Sequence, residues 1–292
     1  MTYSIVARDA DTGDLGVAVQ TRAFSVGRTV PWARPGVGAV ATQAFSERSY
    51  GPLGLELLRA GRTPEQALRA LVAADDQGEA RQVGIVDAEG RAAAHTGESC
   101  IPECGHSVGD GFAVQANMMR SAEVWPAMAD AYTAAGPGVG DGEGDGEITL
   151  ARRLLAALDA AEAAGGDFRG RQSAALLVVA GERAAAPWDG RISDLRVEDH
   201  AEPLAELRRL LDLEEAYRRL NRIRGEVPEE EANRARAAGV AEDNLEWFAV
   251  AAAWRAGDLE EARRRLGRLL ARDPRWEASW QVLASTPPPE PQ

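Results

Sequence analysis

A period-two alternation sets the character of this chain from its second residue. Thr2 to Ala7 and Leu15 to Thr21 each interleave apolar with small or polar side chains, and Asp11-Thr12-Gly13-Asp14 supplies a turn between them. Such a pattern predicts a β-hairpin whose strands each bury one face. A strand rich in small residues is expected over 36–45. Helices follow over Tyr50 to Ala60 and from Thr63-Pro64-Glu65-Gln66, which offers an N-cap, a proline at the first helical position and a capping-box glutamine. Gln82 to Asp87 and Arg91 to Thr96 read as a second hairpin, and Phe112 to Asn117 as a further strand. Helices are predicted again over 122–134 and 149–164, then strands over Ser173 to Ala180 and Ser193 to Val197. Strands, two helices, strands, two helices, strands is an α+β order that suits two antiparallel sheets packed between helical layers.

Between the second pair of helices lies GPGVGDGEGDGE, whose Asp141, Glu143, Asp145 and Glu147 lack calcium-loop spacing and read as a solvated loop. Past Pro203 the pattern becomes wholly helical. Asn244 to Ala284 divides at Gly257-Asp258 and Asp273-Pro274, and Gly257, Ala262, Leu266 and Pro274 resemble one tetratricopeptide-like unit. The expected division is therefore a mixed domain over 1–212, a helical one over 213–284 and a disordered tail over 285–292. A single such unit needs neighbours, so it should pack on residues 214–240 or on a partner. Trp247, Trp254, Trp276 and Trp280 fall in this tail, where they serve as a small helical core or as a sugar-stacking surface.

The 292 residues carry 33 basic and 46 acidic side chains, a formal charge of −13, and every basic residue is arginine. No lysine Schiff base, Walker A lysine or lysine general base is available. Residues 1–212 hold most of the excess, net −11, which repels nucleic acid. The start MTYSIVARDADTGD has no secretory h-region and no apolar run reaches membrane-spanning length, so a cytoplasmic location without membrane contact is expected.

Methionine ahead of threonine is ordinarily removed, which would leave Thr2 with its hydroxyl beside a free α-amine. An amine of pKa about 7.7–8.0 can take the hydroxyl proton near neutral pH. TYSIVARDADTGDLGVAVQTRAFSVG resembles the opening of the N-terminal nucleophile (Ntn) hydrolases. Together with VPWARPGVGAVATQAF, SYGPLGLELL, AAHTGESCIP, GHSVGDGFAVQANMM and GGDFRGRQSAALLVV, it resembles the bacterial family called domain of unknown function 1028, over about Thr2 to Asp212.

That resemblance implies a four-layer αββα sandwich, here with an all-α C-terminal tail that resembles a peptidoglycan-binding appendage. It implies an amidohydrolase of unassigned substrate acting on a C–N amide bond. Thr2 matches the nucleophile, Arg22 the charged residue at the end of the second strand, and Asn117 the oxyanion donor. Gln115, His95, His106, Asp167, Arg171 and Ser173 are the substrate-binding candidates, and Ser4 is a second nucleophile if processing goes further. Threonine members of the superfamily, such as proteasome subunits, commonly keep a lysine beside the nucleophile. An arginine would have to take that place here.

His95, Cys100, Cys104 and His106 fall within a dozen positions, yet form neither a CxxC nor an HxxxH knuckle. We therefore expect polar loop residues and no metal or other cofactor, with His200 a surface histidine. The expected partners are a small amide-containing substrate or cell-wall fragment, a protein held by the helical tail, and a second copy of the chain. A binding or scaffold protein without turnover is the alternative in a different class.

Overall fold

A computed structural model describes residues 2–136, 149–186 and 188–285. The acidic loop, apart from Gly136, and the tail, apart from Ser285, lie outside them. In chain order the elements are β1 (Thr2–Arg8), β2 (Leu15–Thr21), β3 (Pro31–Arg34), β4 (Gly38–Ala44), α1 (Tyr50–Arg59), α2 (Pro64–Ala73), β5 (Arg81–Asp87) and β6 (Ala92–Thr96). There follow β7 (Gly105–Gly109), β8 (Phe112–Asn117), α3 (Val124–Ala134), α4 (Leu150–Ala163), β9 (Ser173–Val179), β10 (Arg191–Val197) and α5 (Pro203–Arg222). The remaining helices are α6 (Glu229–Ala238), α7 (Glu242–Arg255), α8 (Leu259–Arg272) and α9 (Trp276–Ser285).

Two antiparallel sheets result, one ordered β10-β9-β2-β1-β8-β7 and the other β3-β4-β5-β6. Both predicted hairpins form, and β1 lies centrally between β2 and β8. The predicted capping box at Thr63 is also present, with each side chain serving the other residue's backbone N–H. Strands β3 and β7 are missing from the sequence pattern. Each is a short edge strand, one opening on Pro31 and the other bounded by Gly105 and Gly109, so neither has two faces to bury.

The alternation decides which side chains meet between the sheets. Val6, Leu15, Val17 and Val19 of the larger sheet pack on Ala39, Ala41 and Val86 of the smaller. On the other face of the smaller sheet, Val40, Val83 and Ile85 receive Leu55 and Leu58 of α1 and Leu68 and Leu71 of α2. The larger sheet's outer face is covered by α4, where a Cβ on Gly16 would lie 2.6 Å from Leu154. Each fully buried leucine or valine contributes about 1.5–3 kcal/mol, so the alternation is strongly held.

Asp75, after α2, accepts from Arg81 Nε at 2.7 Å and from the Tyr50 hydroxyl at 3.1 Å. The Arg81 hydrogen bond is the largest of the effects that hold its carboxyl down to about 2 from 3.8. A depressed folded pKa means that this stabilisation is complete above the unfolded value and fades as pH falls toward about 2. Urea melts of wild type and Asp75→Asn should therefore differ at pH 6 and converge between pH 4 and pH 2. An equal gap across that window would show that the pair is not what the variant removed.

Contacts divide the chain into a unit spanning Met1–Arg208 and a second spanning Arg209–Gln292. In the second unit Ala216 and Leu220 share a core with Ala232, Ala235, Val240 and Leu245, joining residues 214–240 to the start of α7. Trp254 is buried with Ala262, Leu266 and Leu269, while Trp247, Trp276 and Trp280 pack against that cluster. Trp247 and Trp276 stack with centroids 5.4 Å apart. Trp254 thus belongs to the helical core, and the other three, half-buried, pack against it.

Candidate functional site

Backbone register assembles the site before any side chain is considered. Thr2 stands opposite Asn117 on one side and Thr21 on the other, and Thr21 stands opposite Ser173. Asn117, Thr2, Thr21 and Ser173 therefore form one row across four adjacent strands, with side chains on the face turned to the other sheet. All four are buried. The Thr2 hydroxyl lies 3.1 Å from that of Thr21.

Immediately behind this row the inter-sheet layer is polar. Gln43 and Gln82 approach from the smaller sheet, Ser4 and Gln115 from the larger, and each is fully buried. The hydrogen bonds run in a definite direction. Gln115 Nε2 donates to Ser4 Oγ at 2.6 Å, and Ser4 Oγ donates to Gln43 Oε1 at 2.6 Å. Besides the Gln115 carbonyl at 3.2 Å, Gln43 Nε2 meets Gln82 Oε1 at 2.7 Å and the Thr2 carbonyl at 3.2 Å. Asn117 Nδ2 meets the same two acceptors, at 2.8 and 3.4 Å. The Thr2 carbonyl is thus gripped by amides from both sheets.

Buried networks of this kind are costly unless satisfied, and here Gln115 Oε1 has no hydrogen-bond partner. Gln82 Nε2 in turn donates to the Ala116 carbonyl at 2.8 Å and to Thr96 Oγ1 at 3.0 Å. The Thr96 hydroxyl also hydrogen-bonds His106 Nδ1 at 2.9 Å. The pKa of His106 is lowered, first by desolvation and then by His95.

A glycine makes room for this layer. Gly84 of β5 occupies an inward position between Gln82 and Val86, and an added Cβ would fall 2.3 Å from Gln115 Oε1. Since Gln115 is already pinned by Ser4, we expect Gly84→Ala to destabilise by about 1–3 kcal/mol, read as a lower urea midpoint. An unchanged midpoint would mean that the Gln115 amide is free to move aside.

The other sequence candidates occupy several places. Arg22 is exposed and bonds Gln172 Oε1 at 2.8 Å through its guanidinium, while its backbone N–H donates to Asp167. Asp167 is buried and paired with Arg169 at 3.0 Å. Ser173 accepts from Val26 N and donates to the Ala23 carbonyl at 2.6 Å, so Asp167 and Ser173 together brace the loop after β2. Arg171 forms ion pairs with Glu202 at 2.8 Å and Glu162 at 3.5 Å. Ser4, with its hydroxyl committed inside the amide layer, stands one row behind Thr2.

His95 lies on the opposite face of the smaller sheet from His106. Its Nε2 is 3.0 Å from the Gly78 carbonyl, and it lines a cavity of about 430 Å³ with Leu68, Arg69 and Val72. The Cys100 thiol donates to the Arg81 carbonyl and burial pushes it up to about 11. Among the described residues, no group of three or more His, Cys, Asp or Glu side chains converges as a metal site.

The sequence reading missed Gln43, Gln82, Thr21 and Thr96. The signal was present: in VATQA, RQVGIV and FAVQAN a glutamine interrupts an otherwise apolar strand at an inward position. The backbone adds a feature that no residue type announces. Among the described residues three non-glycines have positive φ: Ser25 at 62°, Ala44 at 65° and Met118 at 59°. Ala44 ends the strand carrying Gln43, Met118 follows Asn117, and Ser25 lies in the loop beyond Thr21. Left-handed backbone at a non-glycine costs about 1–3 kcal/mol and concentrates at functional sites.

A family model described as a family of unknown function, DUF1028, matches residues 2–207. The chain belongs to the DUF1028 family. The crystal structure of protein SPO2555 from Silicibacter pomeroyi, also DUF1028, superposes with a TM-score of 0.61 at 32% identity, covering 72% of this chain and 87% of that one. Anbu, the ancestral β-subunit from Yersinia bercovieri, gives a TM-score of 0.30 at 13% identity, over 77% of this chain and 100% of its own. No curated protein matches. The matched span includes the whole Thr2 row and the amide layer behind it.

Proposed function

We propose that this DUF1028 protein is an N-terminal-nucleophile amidohydrolase, its two sheets and flanking helices forming an αββα sandwich and its mature chain beginning at Thr2. The observation that carries this reading is the coincidence at one end of the sheets of Thr2, the amide layer that grips its carbonyl, and the left-handed Ala44 and Met118. In the reaction Thr2 Oγ bonds to the amide carbon and its proton passes to the α-amine. That proton then goes to the leaving nitrogen as the C–N bond breaks. Water, deprotonated by the same amine, cleaves the ester and restores the hydroxyl.

Asn117 is the proposed oxyanion donor. Its N–H toward the Thr2 carbonyl spans 3.4 Å, the longer of its two bonds, and would have to leave that carbonyl to meet a developing charge. Arg22 would supply positive charge near the amine only by leaving Gln172. Intact mass of the purified protein tests the reading: loss of Met1 is required, and activity in a protein that retains Met1 overturns it.

The second reading is a binding protein without turnover, whose helical tail holds a protein or a peptidoglycan fragment. The buried, already bonded Thr2 hydroxyl favours it. Retention of the full chain on cell-wall sacculi would support the wall-binding form, and the packing of the four tryptophans in and against the tail's own core argues against it.

A further inference from the structure

Three of the five phenylalanines in the chain are exposed: Phe24 at 65%, Phe45 at 61% and Phe168 at 46%. Their placement is not scattered. Phe24 lies three residues beyond Thr21, and Phe45 directly follows the left-handed Ala44. Phe168 N donates to the Met118 carbonyl at 3.4 Å, and Met118 N donates to the carbonyl of the 43%-exposed Ile101 at 3.3 Å. Apolar side chains gathered in this way mark a binding surface more often than chance.

Of these residues Phe45 and Ile101 line a cavity of about 160 Å³, together with Ala44, Cys100, Asn117 and Met118. Asn117 joins it to the Thr2 row. The lining carries no charge: the Asn117 amide is engaged by Gln82 and Thr2, and the Cys100 thiol is neutral and bonded to the Arg81 carbonyl. A carboxylate placed there would lose its hydration with no cation to replace it. By contrast, an apolar cavity of roughly 150 Å³ accommodates one benzene ring.

We propose that this cavity receives an apolar group of one aromatic ring, or a branched aliphatic group of similar size, borne by the substrate beside its amide. The class of bond cut rests on the Thr2 reading, whereas the preference of the cavity does not.

Saturation-transfer NMR on the full chain, with phenylacetamide and N-benzylacetamide as probes and acetamide and succinamate as controls, tests it. Saturation of the ring protons is expected, with a Kd about thirtyfold below that of acetamide. This binding should survive Thr2→Ala and be lost in Ile101→Trp, which fills the mouth. Ile101→Ser, which opens the wall at an exposed position, should weaken it severalfold and provides the check should the tryptophan variant not fold.

Equal binding of acetamide, preference for succinamate, or indifference to both Ile101 variants would overturn the proposal. So would a dimer that dissociates in Ile101→Ser without any ring binding, since the face would then belong to a second copy. Ring binding without hydrolysis counts against the Thr2 reading alone. Hydrolysis of acetamide and phenylacetamide with equal kcat/KM counts against the cavity alone.

Discussion

Replacing Arg153 by methionine is expected to cost about 3–5 kcal/mol of stability, because it removes one partner of a buried ion pair. Arg153 of α4 reaches Asp9 at 3.0 Å, with 8% and 1% of the two side chains exposed. The guanidinium carbon also lies 4.1 Å from the centroid of the Tyr132 ring, so the charge is enclosed on both sides. Asp9 meanwhile accepts from the backbone N–H groups of Asp11 and Thr12, both at 3.0 Å, which shapes the turn of the first hairpin. Removing the arginine takes the buried Arg153 ion pair from this acceptor cluster. Denaturant melts should show a lower midpoint at unchanged slope, and Tm should fall by roughly 10 °C. The double variant Asp9→Asn with Arg153→Met should recover part of the loss, since a buried charge that has lost this partner, rather than absence of the pair, is the main cost. If the double variant is as damaged as the sum of the singles, the two residues are not coupled as described.

The consequence extends to the other end of the hairpin. The turn sets the register in which Arg8 faces Leu15 and Thr2 faces Thr21. A slip of one residue would turn Thr2, Ser4 and Val6 outward together, since inward and outward positions alternate. The row at the Thr2 end therefore depends on an ion pair that no inspection of that row would reveal.

Much of this arrangement is legible in the residues. The two hairpins, the Thr63 capping box and the helical tail follow from periodicity and turn chemistry, because each is a local preference reinforced by burial on one face. Thr2 and Asn117 were singled out by resemblance, and the strand register sets them side by side. What was not legible depends on chain crossings. Gln43, Gln82, Ser4 and Gln115 are far apart in sequence, and only face-to-face packing of the sheets makes their amides and hydroxyl one network. His95 and His106 illustrate the converse. Their proximity in sequence suggested one cluster, but His106 faces the inter-sheet layer and His95 the helical side. The left-handed Ala44 and Met118 carry no compositional mark at all, since neither residue type prefers that backbone.

The absence of lysine turns from an exclusion into an experimental handle. An amine-reactive acylating reagent has only the α-amino group to modify. In the proposed mechanism that amine is the base, so stoichiometric acylation of Thr2 should abolish hydrolysis while leaving the fold intact.

Thr2→Ala should lower amide hydrolysis by about a thousandfold or more, since residues acting as a catalytic unit fail together. It should do so in a folded protein: the Thr2 side chain makes one hydrogen bond to Thr21, worth about 1 kcal/mol, and the carbonyl held by Gln43 and Asn117 remains in place. Thr2→Ser keeps the hydroxyl and should retain measurable turnover, whereas Thr21→Val removes a hydrogen-bond partner of the nucleophile and should cost less than tenfold. The readout is ammonia release from phenylacetamide, with intact mass to trap an acyl ester on Thr2 and to confirm loss of Met1 in each variant. Wild-type rates in Thr2→Ala would move the chemistry away from Thr2. A Thr2→Ser protein as inactive as Thr2→Ala, with Met1 removed from both, would show that the hydroxyl is not the attacking group.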